Sequence, residues 1–155
     1  MMRSMVKPLV ILAFAYTVGV AHAETMMPRN LKQEQQNLRL VENFYTRFFN
    51  RHDLNAAQVI APNYKQHNPY VADGKQPFVD YFKEEFTKNP QSQAQIVRYA
   101  TQGDLVYLHV HSTNSPQDRG QAVMDIFRVQ QGKIVEHWDI VQDVPQEPAN
   151  SNTMF

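Results

Sequence analysis

Residues 124–141 read MDIFRVQQGKIVEHWDIV. Two β-branched and aromatic runs separated by Gln131-Gly132 are the pattern of an antiparallel hairpin closed by a tight turn. Side chains alternate faces along a strand. In the first run Val123, Asp125, Phe127 and Val129 therefore share one face, and Ala122, Met124, Ile126 and Arg128 the other. A carboxylate among such apolar neighbours is the unusual feature. Desolvation disfavours its charged form, and a carboxylate poised near neutrality is a usable acid or base. The plainer reading is an ion pair across the sheet with an arginine such as Arg98.

In the second run Ile134, Glu136, Trp138 and Ile140 alternate with Val135, His137, Asp139 and Val141. Placing Trp138 inward makes it a candidate to line a pocket, with Glu136 beside it as a second carboxylate and with His137 and Asp139 outside. If the parity is reversed, those roles exchange.

The remainder of the chain frames this hairpin. Apolar residues at Leu38, Val41, Phe44, Tyr45, Phe48 and Phe49 predict an amphipathic helix over 31–50. Asp53 suits the cap of a short second helix, Leu54 to Ile60, ended by Pro62. A third helix begins near Pro77 and carries Phe78, Tyr81, Phe82 and Phe86 on one face. From Ala94 the period changes to two, with strands expected at 94–101, 105–113, 121–130 and 133–142. Helices followed by a strand meander predict an α+β fold, with the helices packed on the concave face of a curved antiparallel sheet. The tail, 143–155, is rich in Pro, Asn and Gln but ends in Met154-Phe155, which suggests an end tucked back on the domain.

At the other end, Arg3 and Lys7 precede an apolar run from Leu9 to Ala21, closed by Ala21-His22-Ala23. This is the pattern of a secretory signal peptide cleaved after Ala23, and the run is shorter than the roughly 18 residues of a spanning helix. The mature chain, 24–155, is one domain in size, periplasmic or secreted, and free of the membrane once cleaved. It carries 13 basic and 15 acidic residues with no basic stripe, which argues against nucleic acid as a partner. The absence of cysteine excludes thiol chemistry and thiolate-bound metal.

His109-Val110-His111 lies on one strand, so both imidazoles share a face with Leu105 and Tyr107. Such a pair can ligate a metal, but the glutamate that accompanies it in metal-binding barrels is missing here, the next being Glu136. No metal is expected. His67, before Asn68-Pro69, is a candidate orienting group at a pocket mouth or a local turn partner, and Tyr64 either supplies a hydroxyl or simply packs.

Taken in order, the Tyr64-Lys65-Gln66-His67-Asn68-Pro69 segment, the Gly103-Asp104 turn, the His-Val-His strand and the DIFRVQQGKIVEHWD hairpin resemble the SnoaL-like polyketide cyclase family of the nuclear-transport-factor-like superfamily. The resemblance spans roughly 38–144. It implies a cone-shaped α+β barrel whose helices close over the sheet around a pocket. It also implies an aspartate and a histidine, matched by Asp125 and His111, doing acid/base work in an aldol ring closure. The expected activity is cofactor-independent aldol-type cyclisation or isomerisation α to a carbonyl, on a small apolar molecule bearing a carbonyl or hydroxyl. Asp125 would be the base and His111 the donor, with His67, Trp138, Tyr64, His109 and Glu136 around the substrate. Two alternatives remain open. One is a non-catalytic binding protein of the same fold. The other is an epoxide-hydrolase-like hydratase, which needs Asp125 and Glu136 bridged by an arginine. A homodimer through the outer sheet face is also implied, with Val106, Leu108 and Val110 on that face if the histidines point inward.

Overall fold

The computed structural model describes residues 29–155. The expected signal peptide, 1–23, lies outside the described residues. Among them, no helix is long and apolar enough to cross a membrane.

The first helix, α1 (Leu31–Tyr45), is capped by Asn30, whose side-chain oxygen accepts from the Gln33 N–H. It continues as a wider π-type turn over Thr46–Asn50. Leu38, Val41, Phe44, Tyr45 and Phe48 are buried on its inner face, as their spacing predicts. Asp53 caps the next segment, accepting from the Asn55 N–H, but that segment is a 3₁₀ helix and stops at Val59.

The chain then departs from the expected course. Ile60–Gln66 is a strand, β1, and not the end of a helix leading into a loop. It pairs in parallel with the last strand, with Gln66 opposite His137. Pro62 is tolerated because β1 is at the sheet edge and its pairing is interrupted between Ile60 and Lys65. Helix α2 (Lys75–Lys88) carries Pro77 in its first turn.

The remaining strands are β2 (Gln93–Gln102), β3 (Leu105–Thr113), β4 (Gln121–Gln130) and β5 (Lys133–Asp143), close to their expected limits. The sheet order is β1-β5-β4-β3-β2, antiparallel except for β1 against β5. The result is the expected α+β cone, with α1 on the concave face of a curved sheet. Gln131 and Gly132 both have positive φ, 50° and 71°, and form the two-residue hairpin turn.

Two side-chain parities decide what the concave face carries. On β3, Val106, Leu108 and Val110 are fully buried beneath the helices. They are core and not an outer contact face, so His109 and His111 point to the convex side. On β5 the register slips: Arg128 pairs with Glu136 but Val129 with Ile134, leaving Val135 as a bulge. Beyond that extra residue the alternation reverses. His137, Asp139 and Val141 lie opposite Phe127, Asp125 and Val123 on the inner face, while Glu136, Trp138 and Ile140 face out. The tail returns as expected, with Phe155 stacked on His111 at 4.2 Å between ring centroids and near His109 at 5.7 Å.

Candidate functional site

Between α2 and the inner face of β4 and β5 lies a cavity of about 240 Å³. Its apolar wall comes from Phe49 on the π turn and from Phe78, Phe82 and Phe86 on α2. Its polar wall comes from Asp125, His137 and Asp139 on the sheet, with Asn68 and Gln66 at the end of β1. A small pocket that is apolar on one side and convergently polar on the other is the usual form of a small-molecule site.

Asp125 is buried, 5% exposed. Its Oδ2 accepts from the Tyr45 hydroxyl at 2.7 Å, and its Oδ1 lies 2.8 Å from His137 Nε2. Burial, and then the charge of Asp125, push the Tyr45 phenol far above its ordinary range, so it remains a donor.

The protonation of His137 is fixed by its other neighbour. Gln66 Oε1 accepts from the Asn68 N–H at 3.0 Å, while its Nε2 donates to the Tyr64 hydroxyl at 3.3 Å, which orients the amide. The atom facing His137 Nδ1, at 2.9 Å, is therefore the carbonyl oxygen, and Nδ1 carries a hydrogen. Nε2 and Asp125 Oδ1 would repel if both offered only lone pairs, so one proton lies between them. It sits either on an imidazolium facing a carboxylate or on a carboxyl facing a neutral ring. The two groups stand 2.8 Å apart, within reach for a proton to pass between them.

Asp139 completes the group. Its Oδ2 accepts from Asn68 Nδ2 at 2.7 Å, and among the described residues no protein donor reaches its other oxygen. Asp125, His137 and Asp139 each offer a ligand atom, all within 4.8 Å of one another, and could hold a metal ion. A cation there would have to displace the proton shared by Asp125 and His137.

Of the residues expected at the site, only Asp125 lines the cavity. His111 is across the sheet, its Nε2 2.8 Å from the Arg119 carbonyl, so the imidazole beside Asp125 is His137. His109 pairs with Arg98 at 2.7 Å on the convex side, which also removes Arg98 as a partner for Asp125. Trp138 stacks on His67 at 4.7 Å with Arg128 on its ring, and Glu136 bridges His67 and Arg128 at 2.9 Å each. His67 and then Arg128 hold the Glu136 carboxyl below its ordinary range, in a network that faces out. The cluster of Asp125, Glu136 and arginine that hydration chemistry requires does not form. Tyr64 is core, edge-on to Phe78, and reaches the site only through Gln66.

The neighbours of these residues, Gln66, Asn68, His137 and Asp139, are the ones that reach the cavity. The uniformly apolar Val106-Leu108-Val110 set was the available cue for β3, since the most apolar face packs on the helices. The Val135 bulge left no comparable cue.

An α+β cone enclosing a half-apolar, half-acidic cavity defines a protein of the small-molecule pocket class built on this fold. The chain belongs to the family of the SnoaL-like domain, which it matches over residues 41–137. Among solved structures it is similar to a protein provisionally assigned as a ketosteroid isomerase from Kribbella flavida, at 15% identity and a TM-score of 0.63, covering 76% of this chain and 86% of that one. A protein provisionally assigned as a polyketide cyclase from Bacillus cereus matches at 19% identity and a TM-score of 0.63, covering 73% and 78%. An NTF2-like protein of unknown function from Mesorhizobium loti matches at 20% and 0.61, covering 75% and 97%. These likenesses concern the fold. No curated protein matches the chain.

Proposed function

We propose that this protein catalyses cofactor-independent proton transfer α to a carbonyl, an isomerisation or aldol-type ring closure, on a small hydrophobic molecule. The observation that carries the reading is the 2.8 Å contact between Asp125 Oδ1 and His137 Nε2 on the polar wall of a half-apolar cavity. With the proton of that contact on His137, Asp125 is a carboxylate with lone pairs to spare, and it takes the carbon-bound proton of the substrate. Tyr45 and His137 hold the carboxylate in place by donating to one oxygen each. The oxyanion that forms needs a donor, and His111, across the sheet, does not supply it. Tyr81 lines the same cavity, and burial together with the charge of Glu85 keeps its phenol protonated. Asp125 then returns the proton to a second carbon, or the enolate carbon adds to a second carbonyl carbon of the same molecule, whose C=O π pair becomes an alkoxide that takes the proton back from Asp125.

The test is deuterium uptake at the α-carbons of small cyclic ketones in D₂O, monitored by proton NMR. A competent base accelerates uptake by about 10²- to 10⁴-fold. Asp125→Asn abolishes the acceleration and His111→Ala leaves it intact. Ketones that bind without exchange would instead support a plain binding protein, a reading favoured by one specific feature: both oxygens of Asp125 and both nitrogens of His137 already have partners.

The signal-like pattern of residues 1–23 supports export as part of this reading. Expression of the full chain and N-terminal sequencing of the extracytoplasmic product checks it, with Glu24 as the expected first residue.

A further inference from the structure

The ionisable residues of the cavity wall, tyrosines aside, are Asp125, Asp139, Glu85 and His137, and no lysine or arginine lines it among the described residues. Their charges do not cancel. Asp125 is paired with His137 at 2.8 Å. Glu85 is offset by Lys88 Nζ at 2.8 Å on the rim. Asp139 remains, a lining residue with only the neutral Asn68 amide as a donor, so that one of its carboxylate oxygens is open, without a protein partner among the described residues. Phe78, Phe82, Phe86 and Tyr81 on α2 line the same cavity.

We infer that the occupant is an organic cation, a protonated amine on a compact apolar body, and that Asp139 is the residue that selects it against neutral and anionic analogues. This rests on the proposed function and names the charge class of the substrate at the same site. The ammonium donates to the open Asp139 oxygen in a charge-assisted hydrogen bond. The aromatic wall receives the hydrocarbon and adds attraction for the cation through its ring faces. A carboxylate ligand is repelled by the uncompensated charge of Asp139. After burial, the charges of Asp125 and Asp139 contribute to lifting Tyr45, on the cavity wall, and Tyr64, behind it, and Glu85 and Asp139, against Lys88, to lifting Tyr81.

Three probes of one shape decide it: benzylamine, benzyl alcohol and benzoate, titrated into the mature protein at neutral pH by calorimetry and thermal shift. The expected order is amine tighter than alcohol by about tenfold, the difference a charged hydrogen bond makes, with benzoate not binding. Asp139→Asn removes the advantage of the amine, so that amine and alcohol bind alike. Benzoate binding as tightly as benzylamine overturns the proposal, and so does an amine advantage that survives Asp139→Asn. A zinc-induced thermal shift that Asp139→Asn abolishes, with no charge order among the three probes, overturns it in favour of a metal site. If that variant does not fold, the wild-type order decides the charge class and Asp139→Ser, read in the same way, decides the residue. Failure here leaves ketone exchange by Asp125 untouched, whereas loss of exchange with the charge order intact removes the catalytic reading and keeps the ligand class.

Discussion

At the scale of single residues, the site depends on satisfying a buried carboxylate. Tyr45→Phe removes the donor to Asp125 Oδ2 and leaves a buried acceptor unpaired. The expected cost is about 1–3 kcal/mol, read as a lower midpoint in urea unfolding. Gln66 acts at one remove as a positioning residue, because its carbonyl oxygen holds the hydrogen on His137 Nδ1. In nitrogen-15 NMR of the protein, Nδ1 of His137 is expected to carry the hydrogen. Gln66→Leu frees the ring to exchange tautomers and shifts that signature, an effect a merely packing role would not produce. Asp125 was legible in the sequence because a lone acid in an apolar strand stands out. His137 was not, since its face depends on a register that local alternation does not contain.

At the scale of elements, turns and bulges set which side chains meet. Gly120 opens β4 with a φ of +74°, and a Cβ there would sit 2.0 Å from the Ser112 carbonyl oxygen. Gly132 has nearly the same φ, +71°, with nothing within 4 Å. Alanine at Gly132 therefore meets backbone strain alone, about 1–2 kcal/mol. Alanine at Gly120 adds a clash with backbone that must move, so its loss in chemical denaturation is expected to exceed that of Gly132→Ala by at least about 1 kcal/mol. The four antiparallel strands were readable from period-two patterning and the Gln131-Gly132 turn. The edge strand β1 was not, because Pro62 and Pro69 bracket a polar segment that only its pairing with β5 makes extended.

At the scale of the whole molecule, α1 is tied to the far end of the sheet by a buried carboxylate. Glu34 is only 2% exposed, pairs with Arg29 and accepts from Thr101 Oγ1 on β2. The hydrogen-bonded Arg29 guanidinium is the main reason its carboxyl is held down at about 2. A folded-state value below the unfolded one means the stabilisation is fully present above the ordinary glutamate range, near pH 4.5, and is lost as pH falls toward 2. Glu34→Gln is expected to lower stability at neutral pH and to flatten the acid limb between pH 4.5 and 2, measured as melting temperature against pH.

The amino-acid order by itself determined the α+β class, the helix faces, the four-strand meander and the inward position of Asp125. Each of these comes from local periodicity, turn chemistry and the cost of exposing apolar surface. Tertiary structure alone decided which histidine meets that aspartate and which acid stands open to the cavity. The bulge at Val135 reverses the alternation of β5 near its start. Packing of Val106, Leu108 and Val110 against the helices turns His109 and His111 outward. Face choice in a sheet is a long-range property, set by pairing register and by what lies against each face, and a one-residue slip moves every later side chain to the other side.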